Sequence, residues 1–308
     1  MSGSPKRRPV FLQDGNEAPF DRARVVVLPV PYEGTVSYGG GTARGPAAII
    51  EASTQIESFN ERMISVPSTC GIWTDAPLEI PDAPTERVVH RVSERFGELM
   101  DAGKWVVMLG GEHSITPGGV AAAAARRDGL HVVQLDAHAD LRESYRDDPW
   151  SHACAMARCL DHAAVHAIGI RSYSPEEAER MRRGIPGYVM TPAWELGRDG
   201  WIDRALAGLD GQPVYLTVDV DYFDPSVIPA TGTPEPGGGL WWPTWELLDA
   251  LFRRTEVVAC DIVELAPIPG LHHADFTVAR LVYHLIGLGL RHSHPADESG
   301  EARGLPVE

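Results

Sequence analysis

The stretch "QLDAHADLRESY" (134–145) sets Asp136, His138 and Asp140 at every second position, directly behind the apolar run "HVVQL". Alternating carboxylates and imidazole are metal-ligand types, and three other segments supply more of them. "LGGEHS" (109–114) carries His113, "TVDVDYFDP" (217–225) carries Asp219 and Asp221, and "DIVELAP" (261–267) carries Glu264. Brought together, Asp136, Asp140, Asp219 and Asp221 would place four negative charges side by side, and close like charges repel strongly where water is scarce. Cations among them remove that cost, and two divalent ions neutralise four aspartates. Imidazole mixed with carboxylate suits Mn, Fe, Zn, Co or Ni better than Ca or Mg, which prefer oxygen alone. No thiol stands in these motifs, which argues against a structural zinc site. Six ligands, His113, Asp136, His138, Asp140, Asp219 and Asp221, exceed one tetrahedral ion and suit a pair that shares carboxylates. Two ions about 3.5–4 Å apart can hold a bridging hydroxide at neutral pH, which is hydrolytic chemistry.

The elements that must position these residues are apolar runs that read as buried strands. They are "RVVVLPV" (24–30), "KWVVMLGG" (104–111), "HVVQLD" (131–136), "VHAIGI" (165–170), "PVYLTVD" (213–219) and "EVVACD" (256–261). Helices lie between them. "GPAAIIEAS" starts one with Pro46 in its first turn. Over 85–100, Val88, Val92, Phe96 and Met100 share one face. Further helices fit "TPGGVAAAAARR" and residues 175–183, 243–254 and 274–288. This alternation predicts an α/β fold, a mostly parallel sheet covered on both faces. In such folds ligands bind outside the carboxyl ends of the strands, where all four polar segments fall. The glycine-dense 31–46 is a loop. Residues 1–20 read as an irregular arm and those from about 293 as a frayed tail. No linker or repeat divides the chain, so a single domain over 1–308 is expected.

The chain has 308 residues, 44% hydrophobic and 23% charged, with a formal net charge of −16. Such acidity argues against nucleic acid or an anionic membrane as partner and favours a small cationic ligand. Cys70, Cys154, Cys159 and Cys260 form no CxxC pair, so a disulfide framework is not expected. No apolar signal segment opens the sequence, and no apolar run reaches the roughly 18 residues a membrane helix needs. A reducing cytoplasm is the expected compartment.

Taken in order, "GGEHS", "DAHADLRESY", "SH" at 151–152, "DVDYFDPSVIPATGTPEPGG" and "DIVELAP" resemble the ureohydrolases, the arginase and agmatinase superfamily. The resemblance runs from about Pro29 to Leu290. It implies a three-layer α/β/α domain, two manganese ions per subunit and hydrolysis of a guanidinium to urea, with Co, Ni or Zn compatible with the same ligands. It also implies a homo-oligomer, a trimer or hexamer. By motif, His113 would bind one ion and His138 the other; Asp136 and Asp219 would bridge both; Asp140 would complete the first site and Asp221 the second. His152 matches the family's proton-shuttle histidine, Glu264 the acid that anchors the guanidinium, and Thr233 a hydroxyl beside the substrate. Asp140 counts with His152 and Glu264 among the expected catalytic groups. An imidazole ordinarily titrates near neutrality, as a shuttle must. A carboxylate can accept two parallel bonds from a guanidinium. Glu112 is expected to support the site from behind, and Asp224, followed by Pro225, to form a turn.

For the substrate, "DAHADLRESYRDDPWSHA" is closest to agmatinases, which make putrescine and urea from agmatine. Glu143, Asp147 and Asp148 read either as attraction for a cationic tail or as a solvated face. Arg142 is the argument for a guanidino acid such as 4-guanidinobutyrate; arginase is a further alternative. "HACAM" (152–156) departs from the agmatinase pattern, leaving Cys154 to pack as an apolar residue or to reshape the pocket. Trp241 and Trp242 either narrow the entrance or pack elsewhere, and His272 and His273, after the "APIPG" loop, are candidates to approach the mouth. A non-catalytic metal-binding homologue would need a lost ligand or shuttle, and the motifs lack none.

Overall fold

The computed structural model describes residues 9–12, 17–80 and 83–291, with the backbone alone at 291. The tail expected from 293 lies outside these residues, as does much of the arm. Of the arm, Phe11 and Leu12 are buried, their backbone N–H groups donating to Thr74 Oγ1 (2.8 Å) and Ser53 Oγ (2.7 Å).

Strand β1 (Val25–Val30) leads through the glycine-rich loop to helix α1 (Gly45–Ser53). Then come β2 (Ile72–Thr74), α2 (Thr85–Asp101), β3 (Trp105–Gly110) and α3 (Thr116–Ala124). After β4 (His131–Leu135) follow α4 (Ala155–Cys159), β5 (Ala164–Ile170), α5 (Pro175–Arg183), β6 (Tyr188–Pro192) and α6 (Trp201–Ala205). The chain closes with β7 (Pro213–Asp219), α7 (Trp241–Arg254), β8 (Glu256–Val263) and α8 (His272–Arg291).

The strands form one eight-stranded sheet in the order β2-β1-β3-β8-β7-β4-β5-β6, and each neighbouring pair is parallel. Strand side chains alternate between its faces. On β1, Val25 and Val27 join the core beneath α1, α6, α7 and α8, while Val26, Leu28 and Val30 join the core beneath α2, α3 and α4. The result is three layers, α/β/α. Each such valine or leucine taken from water contributes about 1.5–3 kcal/mol. Continuous apolar runs were the sequence signal because both faces of these strands are covered.

Two strands and two helices had no such signal. Strand β2 has three residues and β6 is an edge strand ending on Pro192, where a missing N–H costs the ladder little. Helices α4 and α6 span five residues each, too short to show a period. Helix α7 begins at Trp241 rather than 243, with Pro243 accommodated in its first turn.

After β3 the chain skips two positions to β4, and β7 and β8 later fill the gap. The carboxyl ends of β3, β8, β7 and β4 are therefore neighbours at the point where the strand order reverses, where open α/β sheets bind ligands.

Candidate functional site

Each candidate ligand stands where one of those four central strands stops. His113 opens a single 3-10 turn behind β3, Asp136 follows β4, Asp219 closes β7 with Asp221 in the next turn, and Glu264 follows β8. The turn after β3 needs glycine. A Cβ on Gly111 would lie 1.8 Å from the Tyr32 carbonyl oxygen, so only glycine lets the loop after β1 pass this closely. The N–H groups of Gly111 and Glu112 then bond Val30 O and Tyr32 O, each at 2.9 Å.

The ligand atoms converge in two groups. His113 Nδ1 lies 3.0 Å from Asp140 Oδ2, 3.2 Å from Asp136 Oδ2 and 3.5 Å from Asp219 Oδ2. His138 Nδ1 lies 2.9 Å from Asp221 Oδ2 and 3.7 Å from Asp136 Oδ1. Within each group, His113–Asp136–Asp140 and Asp136–His138–Asp221, one atom per residue falls within 4.8 Å of the others. Asp136 belongs to both and turns one oxygen to each, the posture of a bridging carboxylate. Asp219 stands with the His113 group and takes the Asp221 N–H on Oδ1 at 2.9 Å.

The donor set fits a metal pair, and His113 shows why. Its Nε2 lies 3.0 Å from Thr217 Oγ1, whose own proton goes to Asp261 Oδ1 at 2.6 Å, while Tyr215 donates to Asp261 Oδ2 at 2.7 Å. Thr217 must then accept from Nε2–H. The Nδ1 atom is buried and makes no hydrogen bond, with three carboxylates around it. A lone pair facing carboxylate oxygens is repulsive unless a cation lies between them. Burial disfavours the imidazolium, yet the adjacent Asp136 and Asp140 carboxylates outweigh it and raise the His113 pKa well above its usual value. A proton and a metal ion thus compete for the same lone pair.

The carboxylates tell the same story. Burial, then the Asp221 and Asp140 charges, push Asp136 up to about 7. Burial, then Asp221 and Asp136, push Asp219 well above the carboxylate range. Burial opposes ionisation of Asp221 too, but His138 holds it down to about 2, and Asp221 in turn raises His138 to about 10 against its burial. Two like charges 4.8 Å apart repel by about 3–4 kcal/mol at an effective dielectric near 20. Several such pairs rival the whole folding stability of about 5–15 kcal/mol. Cations, or protons in their place, are required.

Two site residues adopt the left-handed backbone region, Asp140 (φ 51°) and Glu264 (φ 65°). Such strain clusters at functional positions and needs local anchors. The Asp140 carbonyl accepts from the N–H groups of Met156 (3.0 Å) and Ala157 (3.1 Å), satisfying the start of α4. The Glu264 N–H donates to Gly111 O at 2.8 Å, and its Oε1 accepts the His113 N–H at 2.7 Å. Burial, then the Glu112 charge, raise the Glu264 pKa well above the usual range.

Over this floor opens a cavity of about 350 Å³. His113, His138, Asp140, Asp219, Asp221, Glu264, His152 and Thr233 line it, and the fully buried Asp136 stands 3.2 Å from His113. All nine residues anticipated from the sequence therefore meet in one place. Glu112 supports the site as expected: it accepts from Gly34 N (3.0 Å), Thr35 N (2.7 Å), Thr35 Oγ1 (2.8 Å) and Ser114 Oγ (2.6 Å). Asp224 makes the expected turn, accepting from Ser226 N (3.0 Å) and Gly237 N (2.8 Å).

Other expectations are resolved or corrected. Glu143, Asp147 and Asp148 do not line the cavity. Glu143 pairs with Arg180 (2.8 Å) and Arg158 (3.3 Å), and Asp148 accepts from Thr85 Oγ1 (2.7 Å). Glu143 and Asp147 are exposed and Asp148 is tied to Thr85, so none of the three turns its charge to the cavity. Cys154 is buried off the cavity wall, and burial pushes its thiol up to about 12, so it packs as an apolar residue. Trp241 stacks on Phe223 with ring centres 6.5 Å apart and Trp242 is exposed; neither narrows the mouth. His272 and His273 are exposed at the start of α8, away from the cavity.

Four supporting residues escaped the sequence reading. Gln134 donates to Asp136 Oδ2 (2.8 Å) and to His138 O (3.1 Å), and Thr217 and Asp261 orient His113. Each is a polar residue inside an apolar strand, a signal that was there to use. Thr35, which touches His152, lies in the glycine-rich loop and had no such signal.

A family model described as the arginase family matches residues 23–287. An N(1)-aminopropylagmatine ureohydrolase of Synechocystis sp. is 38% identical over 285 residues, 90% of this chain and 92% of that protein. An agmatinase of Bacillus anthracis is 34% identical, covering 84% of this chain and 88% of its own length. The crystal structure of an agmatine ureohydrolase of Thermoplasma volcanium superposes with a TM-score of 0.84 at 29% identity, covering 94% of this chain and 97% of that one.

Proposed function

The chain belongs to the arginase family, and from that premise we propose that it hydrolyses the guanidinium of an agmatine-type amine, N1-aminopropylagmatine first and agmatine second. What carries this order is the 38% identity across 90% of the chain to a relative named for the aminopropyl compound, against 34% to an agmatinase. The sequence by itself pointed to agmatine. The products would be urea and the polyamine left when the guanidinium is cut back to an amine, putrescine in the case of agmatine.

We assign two ions, manganese ahead of Co, Ni or Zn, to these residues: His113, Asp136, Asp140 and Asp219 around one, and His138, Asp136, Asp219 and Asp221 around the other. When bound, such a pair supplies a hydroxide nucleophile at neutral pH. Glu264, beside His113 on the cavity floor, accepts N–H bonds from the planar guanidinium and fixes its plane. Burial disfavours the ionised Glu264 carboxylate, and the arriving cation favours it. Thr233 offers its hydroxyl from the wall, and His152 delivers a proton to the leaving amine. Arg142 and Glu177, 3.9 Å apart at the mouth, and the rings of Tyr145 and Tyr173 are what the tail meets. Aromatic faces attract ammonium groups. The subunits are proposed to assemble as a trimer or hexamer, which sedimentation measures.

The test is urea release from N1-aminopropylagmatine, agmatine, 4-guanidinobutyrate and arginine, with each metal in turn. The expected order of kcat/KM is aminopropylagmatine, agmatine, then the two acids. A guanidino acid turned over best would sink the proposal, and it would point to Arg142 as its reader.

A further inference from the structure

We infer that Thr35 is a positioning residue that, backed by Glu112, fixes the tautomer of His152. The inference rests on the proposed role of His152 as proton carrier. Glu112 receives four donors on its two oxygens: Gly34 N and Thr35 N on Oε2, Thr35 Oγ1 and Ser114 Oγ on Oε1. A carboxylate has about four lone-pair sites, and these four donors fill them. Thr35 therefore spends its only hydroxyl proton on Glu112, at 2.8 Å.

What remains on Thr35 Oγ1 is lone pairs. One takes the His152 backbone N–H at 3.0 Å, and the other faces His152 Nδ1, also at 3.0 Å. With no proton left to give, the hydroxyl can only accept from Nδ1–H. The second neighbour of Nδ1, Ser151 Oγ at 3.4 Å, is too distant to reverse that assignment. The ring's hydrogen bonds thus fall on Nδ1, and the Tyr145 ring meets it edge-on with centres 5.8 Å apart. His152 lines the cavity, and Nε2, which takes no part in these bonds, is then the atom assigned to gain and lose the proton. Thr35 does this from a loop that reaches the site only because Gly111 lets it pass.

Two measurements test this. In the zinc-loaded, diamagnetic protein, nitrogen-15 NMR of the His152 ring should show the Nδ1–H tautomer; an Nε2–H ring overturns the inference without any variant. In the manganese-loaded enzyme, Thr35→Val keeps the shape and removes the hydroxyl. It should lower kcat by part of the roughly 10²–10⁴-fold that general acid catalysis supplies, with KM and bound metal unchanged. The pH–rate limb belonging to His152 should shift, and Thr35→Ser should restore both. Wild-type kcat and pH profile in Thr35→Val overturn the inference. His152→Ala separates the two ideas: if it leaves urea release unchanged, the shuttle reading itself fails, whereas a loss in His152→Ala with none in Thr35→Val removes only the role of Thr35.

Discussion

The floor and the mouth of the cavity are built on different principles. The floor comes from the ends of four adjacent strands, its carboxylates are buried, and its ligands are held by further hydrogen bonds from behind. The mouth comes from loops. Tyr38 is 86% exposed there, Tyr173 is 39% exposed, and the half-exposed Arg142 lies 3.9 Å from Glu177, which is buried in the first turn of α5. The floor holds charges that cations or protons must relieve, so it favours a metal-dependent chemistry. Most groups at the mouth are solvated and individually weak, so in the proposed reading the mouth selects among substrates without deciding the reaction.

Breaking the floor should have the largest effect. Asp136→Ala removes the carboxylate common to both ligand groups. Bound metal, measured by elemental analysis, should fall below two ions per chain and urea release should vanish. Full metal content and activity would refute a shared role for Asp136. One layer back, Asp261→Asn disturbs the Thr217 proton and hence the His113 tautomer. Metal affinity should weaken about 10- to 100-fold, as for other residues behind metal ligands. An unchanged affinity would show that Thr217 holds His113 alone.

Chelation offers a third way in. Ions present at about 100 times their dissociation constant stabilise the fold by about 2.7 kcal/mol. At roughly 2–4 °C per kcal/mol, their removal should lower Tm by about 5–10 °C. A metal-free protein as stable as the loaded one would mean that protons relieve the four carboxylates equally well.

Changes at the mouth should be smallest and should sort by substrate. Arg142→Ala removes a half-exposed cation. Worth about 1 kcal/mol at such a site, its loss should lower KM for agmatine-type amines about fivefold or less and raise it for 4-guanidinobutyrate, with kcat steady. A fall in kcat equal to that of Asp136→Ala would erase the distinction between floor and mouth.

The same distinction explains what could be read in advance. Asp136, His138 and Asp140 were legible because strand ends put ligands at fixed spacings, and a motif survives as a string of letters. The left-handed backbone of Asp140 and Glu264 was not legible, since it follows from anchors such as Gly111 O and the start of α4. The acids after "DAHAD" looked like a lure for a cationic tail, yet Glu143 is held outward by Arg158 and Arg180. A charge in sequence has a sign but no direction until its partners are placed. Short elements such as β2 and α4 lacked enough residues for a period to show.

By itself, the sequence determined the α/β layering and singled out six candidate ligands, two histidines and four aspartates, because periodic burial and ligand chemistry are properties of local strings. Only the tertiary structure decided that Asp136 turns one oxygen to each histidine, that Thr217 passes its proton to Asp261, and that Thr35 reaches His152 from 117 residues away. Those are matters of distance and hydrogen-bond direction between segments far apart in the chain. They exist only once the strands have taken their order and brought four carboxyl ends to one rim.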